Sequence, residues 1–271
     1  MAMILFTGSG RSGTGLYSKL FATHHEYQVS RLARIIRELP DFYSPPHDLL
    51  ADASTRLCIM RRHLDGVDLR TFRDSSNPYV HLLDAAFAMD PDVRIVLGTR
   101  DGRDFVRSGI TRGYHLPDGL PRPGVWRAVR RWMRLTLGLQ RKPIFTGFGL
   151  EPTGDDPWRA DWPTMRPVER MAWLWQYRYN TARARLAVVP RDRWMVVRLE
   201  DLTGDPRRSA LELERVESFV GMSADRQWLA KKYNHSDAFA HPSREDWTPE
   251  DIDGFRRIAG ATMERLGYAT V

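Results

Sequence analysis

The residues with the clearest capacity for chemistry lie near the start of the chain, in the glycine-rich segment GSGRSGT at 8–14. An apolar run precedes it and a helical pattern follows it, so a strand, a tight turn and a helix are predicted. Glycines allow such a turn left-handed dihedral angles, which aim successive N–H groups at one anion near the positive end of the helix. Thr14 adds a hydroxyl donor and Arg11 a full positive charge. The segment predicts a site for a phosphate-like group; a tight turn without a ligand is the alternative.

This segment differs from the nucleotide-triphosphatase loop G-x-x-x-x-G-K-[ST] at the positions that serve the metal-bound phosphates. Gly8 and Gly13 have the required spacing, but Thr14 stands where the lysine belongs, and Gly15 stands where a Mg²⁺-binding hydroxyl belongs. The acidic pair at 200–201 is the nearest candidate for a magnesium ligand. We therefore expect a site without a metal. That suits sulfuryl transfer, because a sulfuryl group carries less negative charge than a phosphoryl group.

A second cluster follows the apolar run VRIVLGT at 93–99, which predicts a central parallel strand buried on both faces. Arg100 comes directly after this strand, and Ser108 lies eight residues later on a predicted helix. Because ligands of doubly wound sheets bind at the carboxyl ends of the strands, Arg100 is expected beside the glycine-rich loop. The alternative is that Arg100 pairs with a nearby aspartate, Asp101 or Asp104.

The elements that must bring these clusters together follow the alternating pattern of an α/β protein. We predict one domain over 1–271 with a three-layer, P-loop-like fold, in which a central parallel sheet is flanked by helices. The predicted strands are 2–7, 93–99 and 194–199, with weaker candidates at 27–30 and 69–73. The predicted helices are 13–23, 78–89, 102–111, 125–139, 167–186, 206–220, 224–232 and 249–266.

One stretch interrupts this pattern. Residues 113–167 are rich in proline, glycine and tryptophan and are predicted to form an irregular insertion. The insertion is either a loop-rich piece packed on the domain or a lid over the acceptor, since long irregular segments often carry function.

Composition sets the general class of the protein. No apolar run reaches the ~18 residues that a membrane-spanning helix needs, and the N-terminus lacks the pattern of a signal peptide. The single cysteine, Cys58, excludes an intrachain disulfide and a cysteine-rich zinc site, so we expect a cytoplasmic protein. The net charge is +7, and only four of the 41 basic residues are lysines. Such a composition fits an anionic ligand, a nucleic acid or a general compositional bias.

Together the two clusters resemble the sulfotransferases that use 3′-phosphoadenosine-5′-phosphosulfate (PAPS). The segment GRSGT at 10–14 is similar to the family's 5′-phosphosulfate loop, and RIVLGTRDGRDFVRSGITR at 94–112 is similar to its 3′-phosphate motif. Both segments are especially similar to those of the tyrosylprotein branch. Looser similarity extends to 196–206 and to the ending MERLGY at 263–268. The resemblance covers most of the α/β core and leaves out 113–167.

The resemblance implies a sulfuryl transfer from PAPS by in-line displacement without a metal, with 3′-phosphoadenosine-5′-phosphate (PAP) as the product. It implies that Arg100 and Ser108 hold the 3′-phosphate and that Arg11 also stabilises charge on the bridging oxygen. A late basic loop is expected at the 3′-phosphate, with Arg244 preferred over Lys231 and Lys232. The implied 5′-phosphosulfate contacts are Gly10, Arg11, Ser12, Gly13, Thr14 and Gly15.

The general base that an acceptor hydroxyl needs is less evident. Many relatives have a glutamate about twenty residues after the loop arginine, but this neighbourhood reads Ser-Arg-Leu at 30–32. Cytosolic relatives have a histidine where this chain has RDSSNP at 73–78. We choose Asp74, whose alternative role is near the N-cap of a helix. Glu26 and Glu38 are the next candidates, whereas His81 and the pair Trp173 and Trp175 are expected in the core.

Two other functions stay open. A P-loop kinase for a small molecule would need a lysine before its loop hydroxyl and a magnesium carboxylate. A nucleic-acid-binding protein would need a basic stripe with aromatic residues. Residues 126–132 combine arginine with tryptophan, but the same spacing is typical of an amphipathic helix whose basic face is simply solvated. For the sulfotransferase, neither a nucleic-acid partner nor a membrane-spanning segment is expected. Its acceptor is a hydroxyl of a small molecule, a glycan, a lipid or a peptide tyrosine.

Overall fold

The computed structural model of the protein describes residues 2–22, 32, 35, 50–110, 150–229 and 247–269. The elements predicted at 27–30 and 125–139 lie outside these residues, and so does the insertion before residue 150. Within the described residues, the segment from 150 to 166 forms turns without a regular helix or strand.

The described residues form a sheet of four parallel strands in the order β2-β1-β3-β4. The carboxyl ends of parallel strands lie along one edge, so the segments that follow β1 and β3 become neighbours. The strand predicted over 93–99 is an inner strand, as its β-branched composition requires. The strands are β1 (Ile4–Gly8), β2 (Arg73–Ser75), β3 (Arg94–Thr99) and β4 (Trp194–Arg198).

Helices cover both faces of this sheet. Along β1, Leu5 packs into one buried cluster, whereas Ile4 and Phe6 pack into another, because successive side chains of a strand point to opposite faces. The first cluster includes Trp173 of the long helix α5 and Phe105 of α4. The predicted three-layer α/β fold is thereby confirmed. The helices are α1 (Thr14–Leu20), α2 (Ala53–His63), α3 (Leu83–Met89), α4 (Gly102–Ile110), α5 (Pro167–Leu186), α6 (Leu199–Thr203), α7 (Pro206–Val220) and α8 (Pro249–Arg265).

None of the helices in the described part of the chain combines the length and the apolar character that crossing a membrane requires.

The strand predicted at 69–73 is wrong in position, because β2 begins only at Arg73. Asp68 organises a turn ahead of it. The Asp68 side chain accepts from the Arg70 N–H at 3.0 Å, and its carbonyl accepts from the Thr71 N–H at 3.1 Å. Backbone groups engaged in this turn are not available for the ladder with β1.

The single helix predicted over 78–89 is broken in the structure. A 3₁₀ helix, Asn77–His81, precedes α3, and Leu82 between them has non-helical dihedral angles (φ −124°, ψ 13°). The helix predicted over 224–232 is also wrong where it is described: only Arg226–Trp228 forms a 3₁₀ helix. Asp225 ties this segment to α1 through an N–H bond to the Leu20 carbonyl at 2.8 Å.

Helix α2 was not predicted from the sequence. Its buried stripe is Arg56, Ile59, Met60 and His63, which has helical spacing but is half polar. Arg56 is only 4% exposed and donates from Nε to Asp84 at 3.0 Å. An ion pair therefore occupies a buried position where an apolar contact is usual. The sequence feature that could have indicated this helix is Asp52, which caps it by accepting from the Thr55 N–H at 2.7 Å.

Close packing joins the glycine-rich loop to the end of β3 at Gly98. A Cβ atom there would lie 2.7 Å from the Ser12 carbonyl oxygen and 3.3 Å from that of Thr7. Both obstacles are backbone atoms, which cannot rotate away as a flexible side chain can. The loop can therefore lie directly on β3 only because residue 98 has no side chain.

We predict that Gly98→Ala lowers the free energy of unfolding by roughly 1–3 kcal/mol, since overpacking forces the backbone to shift. Chemical denaturation would measure the change. Gly260→Ala, in α8, is the control: its nearest neighbour would be a flexible arginine carbon at 3.7 Å. It should be neutral or stabilising by up to about 1 kcal/mol. Equal effects of the two substitutions would show that the contact at Gly98 does not constrain the fold.

Candidate functional site

The glycine-rich loop between β1 and α1 has the left-handed backbone that its sequence predicts. Gly10 (φ 80°), Arg11 (φ 56°) and Gly13 (φ 94°) all lie in this region. For Arg11 the conformation costs roughly 1–2 kcal/mol relative to a right-handed one. Successive turns of this kind curl the backbone so that its N–H groups form a concave anion site. A strained arginine held in such a loop points to a functional role for the loop.

The predicted residues at the end of β3 lie against this loop. The Arg11 side chain donates from Nε to the Ser108 hydroxyl at 3.0 Å. Arg100 donates from Nη1 to the Arg11 carbonyl at 3.2 Å. Ser108, on α4, is 5% exposed, while Arg11 and Arg100 are half-buried. The two sequence motifs therefore meet as one cluster of cations, hydroxyls and backbone donors.

The alternative role of Arg100 as a partner of nearby aspartates is not what the structure shows. Asp101 pairs with Arg103 at 2.6 Å, and Asp104 lies 3.8 Å from Arg107. These aspartates neutralise their own neighbours on α4. The Arg100 guanidinium is directed instead to the backbone of the loop.

The remaining loop residues have different exposures. Ser12 is fully buried, and its hydroxyl packs against Gly8, so its side chain forms the floor of the loop. Thr14 and Gly15, at the start of α1, are half-buried. The Thr14 carbonyl accepts from the Ser75 hydroxyl at 2.6 Å, which ties the loop to the end of β2.

Several other candidates lie outside the described residues. They are Arg244, Lys231, Lys232, Glu26, Glu38 and the segment 126–132.

Helix α5 holds the loop and the end of β3 through hydrogen bonds from side chains that the sequence analysis did not assign to the site. Buried Arg178 donates to the Ser9 carbonyl, and Tyr179 donates to the Gly98 carbonyl at 3.1 Å. One turn earlier, the Trp175 indole donates to the Arg100 carbonyl at 3.1 Å. The tryptophan pair 173 and 175 is buried as expected, yet Trp175 also fixes the backbone of a site residue. Helical periodicity predicts the buried face of α5 but gives no signal for the backbone it contacts.

Glu200, the nearest candidate for a magnesium ligand, is used to hold the turn after β3. One carboxylate oxygen accepts from the Asp101 N–H at 2.9 Å, and the other accepts from the Tyr268 hydroxyl at 3.0 Å. Among the described residues, no group of three or more histidine, cysteine or acidic side chains is arranged to hold a metal ion.

Asp74, the predicted base, lies inside β2 and is fully buried. Its carboxylate accepts from the Tyr79 hydroxyl at 2.5 Å and from the Ser75 N–H at 2.7 Å. Tyr79 in turn lies 2.7 Å from Nε2 of buried His63. Burial raises the pKa of Asp74 to about 7, although these two hydrogen bonds lower it in part. The structure therefore places a carboxyl with a pKa near neutrality beside Ser75, at the end of β2, but buries it below the protein surface. His81 is also buried, as expected.

Three solved structures of sulfotransferases are similar to this chain. The sulfotransferase domain from the curacin biosynthetic pathway has 12% identity and a TM-score of 0.48, covering 100% of this chain and 99% of that one. A sulfotransferase from Alicyclobacillus acidocaldarius has 14% identity and a TM-score of 0.42, covering 98% and 94%. Sulfotransferase STF1 from Mycobacterium tuberculosis H37Rv has 14% identity and a TM-score of 0.44, covering 98% and 76%.

No protein-family model matches the chain, and no curated protein does.

We predict that Asp74→Asn changes how stability depends on pH. The folded protein keeps the Asp74 proton up to a pKa of about 7, whereas the unfolded chain loses it near 3.8, so this carboxyl costs stability as the pH rises between these values. Asparagine has no such cost and can accept the same Ser75 bond. The variant should gain roughly 2–4 kcal/mol relative to wild type between about pH 4 and about pH 8.

Denaturant unfolding across this pH range would measure the gain. Asp253→Asn, a change of the same group at a position 73% exposed, is the control and should leave the profile nearly unchanged. Parallel pH profiles for Asp74→Asn and wild type would contradict a raised pKa at Asp74.

Proposed function

We propose that the protein is a sulfotransferase that binds PAPS across the glycine-rich loop and the end of β3. The observation that carries this proposal is the hydrogen bond between Arg11 and Ser108, with Arg100 bonded to the same loop. It joins the residues that the family resemblance assigns to the 5′-phosphosulfate and the 3′-phosphate. A donor with anionic groups at both ends requires two anion sites a short distance apart.

The chemical character of the cluster fits such a ligand. Its groups are two guanidiniums, hydroxyls and loop N–H groups, which are all donors to anionic oxygens. Nearby carboxylates are engaged elsewhere: Asp101 pairs with Arg103, and Glu200 accepts from Asp101 and Tyr268. Negative charge is thus kept from competing with an anionic ligand.

We assign the parts of the ligand as follows. Residues 10–15 hold the 5′-phosphosulfate through backbone N–H groups, the Arg11 guanidinium and the Thr14 hydroxyl. Arg100 and Ser108 hold the 3′-phosphate, and Arg244 from the late basic segment is proposed to join them. Arg11 stabilises negative charge on the bridging oxygen as it leaves, and catalysis comes mainly from positioning and electrostatics.

The reaction is a single displacement at sulfur. The acceptor hydroxyl oxygen forms a bond to sulfur while the bond between sulfur and the bridging phosphate oxygen breaks, so PAP leaves with both electrons of that bond. The acceptor proton passes to a general base. PAPS supplies the activated sulfuryl group, and the acceptor is a hydroxyl of a small molecule, a glycan, a lipid or a peptide tyrosine.

Asp74 is our proposal for the base. A pKa of about 7 suits a group that must accept a proton near neutral pH. Tyr79 occupies one of its oxygens, so the acceptor proton reaches Asp74 only after the Tyr79 hydrogen bond gives way or through the Tyr79 hydroxyl itself.

We predict that the protein binds PAP without a metal ion, and that Arg100→Ala weakens this binding about 10- to 100-fold, the usual range for a hydrogen bond to a charged group. Isothermal titration calorimetry with PAP and with ADP would test both points. ADP should bind more weakly because it lacks the 3′-phosphate. Arg207→Ala, which removes the same charge from the exposed face of α7, is the control and should bind PAP as wild type does.

Other outcomes would point elsewhere. Equal affinity of wild type for PAP and ADP would contradict a 3′-phosphate site. A preference for ATP with Mg²⁺ would favour the kinase instead. An absence of nucleotide binding would overturn the proposed donor.

We predict that Asp74→Asn slows the release of PAP from PAPS by about 100-fold or more, the contribution expected of a general base, without changing the affinity for PAP. Because the acceptor is unidentified, transfer to water from labelled PAPS is the measurement. Asp84→Asn, the same change at a partly buried aspartate that pairs with Arg56, controls for the effect of removing a carboxylate elsewhere in the fold. A rate equal to that of wild type would exclude Asp74 as the general base.

A further inference from the structure

A buried cation lies directly under the glycine-rich loop. Arg178, in the middle of α5, is 2% exposed and donates from Nη1 to the Ser9 carbonyl. Fully buried charges are expensive, so an arginine is rarely placed there without a specific task. Ser9 opens the loop, one residue before the left-handed stretch begins at Gly10.

The neighbouring residue strengthens this contact. The Tyr179 hydroxyl donates to the Gly98 carbonyl at 3.1 Å and accepts from the Ser9 hydroxyl, also at 3.1 Å. Arg178 and Tyr179 therefore hold the backbone and the side chain of Ser9 at once. This pair fixes the start of the loop against α5 and β3.

The orientation of one peptide group follows from this geometry. The described chain has no cis peptide bond, so the Ser9 carbonyl and the Gly10 N–H point in opposite directions. With the carbonyl turned down to Arg178, the Gly10 N–H points away from α5. The guanidinium also polarises this peptide group and adds positive charge beneath the loop.

We propose that Arg178 is a positioning residue that sets the affinity of the loop for an anionic ligand, by fixing the Ser9–Gly10 peptide so that the Gly10 N–H faces the bound anion. The identity of that anion as the phosphosulfate group rests on the proposed function. The role of Arg178 in shaping an anion site does not.

The test is a comparison of Arg178→Met with wild type by calorimetry with PAP. The Met side chain has similar length and no charge, so the Kd should rise about 10- to 100-fold. The thermal unfolding midpoint without ligand should fall, because the buried Ser9 carbonyl loses this donor. Arg178→Lys keeps the charge and one donor and should recover part of the lost affinity.

Arg183→Met is the matched control, because it removes the same charge from an exposed position of the same helix. It should bind PAP as wild type does. A merely structural arginine would lower the unfolding midpoint but leave the Kd of the folded protein for PAP unchanged, with no graded response in Kd from arginine through lysine to methionine. An Arg178→Met protein that binds PAP within about twofold of wild type would overturn the proposal. If that variant fails to fold, Arg178→Gln decides by the same criterion.

A second probe separates this proposal from the identity of the donor. Inorganic pyrophosphate, at matched ionic strength, should raise the unfolding midpoint of wild type and of Arg183→Met but not that of Arg178→Met. This result without PAP binding would disprove the PAPS assignment and support the role of Arg178. A wild type stabilised by neither ligand would overturn both.

Discussion

The close contact between the glycine-rich loop and the end of β3 is the constraint on which the site depends. The register of the parallel sheet sets Gly8 beside Gly98, and neither position has room for a side chain. The loop can therefore lie flat across the neighbouring strand. Only in that position does Arg11 reach Ser108 on the helix that follows β3. A bulkier residue at either glycine would lift the loop and separate the two halves of the proposed anion site.

The sequence was sufficient for this part of the molecule because the signals are local. A glycine-rich turn after one apolar strand and an arginine after another define two loops, and parallel pairing brings them to one edge. The helices at 167–186 and 206–220 were predicted with the bounds that the structure has, since each begins with a proline in its first turn and has apolar residues at helical spacing. Local rules specify these elements completely.

Prediction from the sequence failed where a polar residue takes part in burial. Helix α2 was missed because Arg56 and His63 occupy half of its buried stripe. Arg178 and Tyr179 were missed for a related reason: the pattern of α5 shows that they face inward but not that they meet the loop. The environment of Asp74 could not be predicted either, because its pKa depends on burial among residues distant in sequence. A strand of three residues is too short for its hydrophobic pattern to show which residues are buried.

The arginine-rich composition acquires a physical explanation from these contacts. Many guanidiniums in the described residues donate to backbone carbonyls, as Arg198 does to Gly267 at 2.7 Å and Arg215 does to Val196 at 2.8 Å. Arg178 makes the same kind of bond to Ser9. What distinguishes it is the position of the carbonyl it holds, inside a loop in which the N–H group of the same peptide, that of Gly10, points the other way. A high net charge is thus weak evidence for a ligand. Arginines gathered at the carboxyl edge of a parallel sheet, bonded to a left-handed loop, are much stronger evidence.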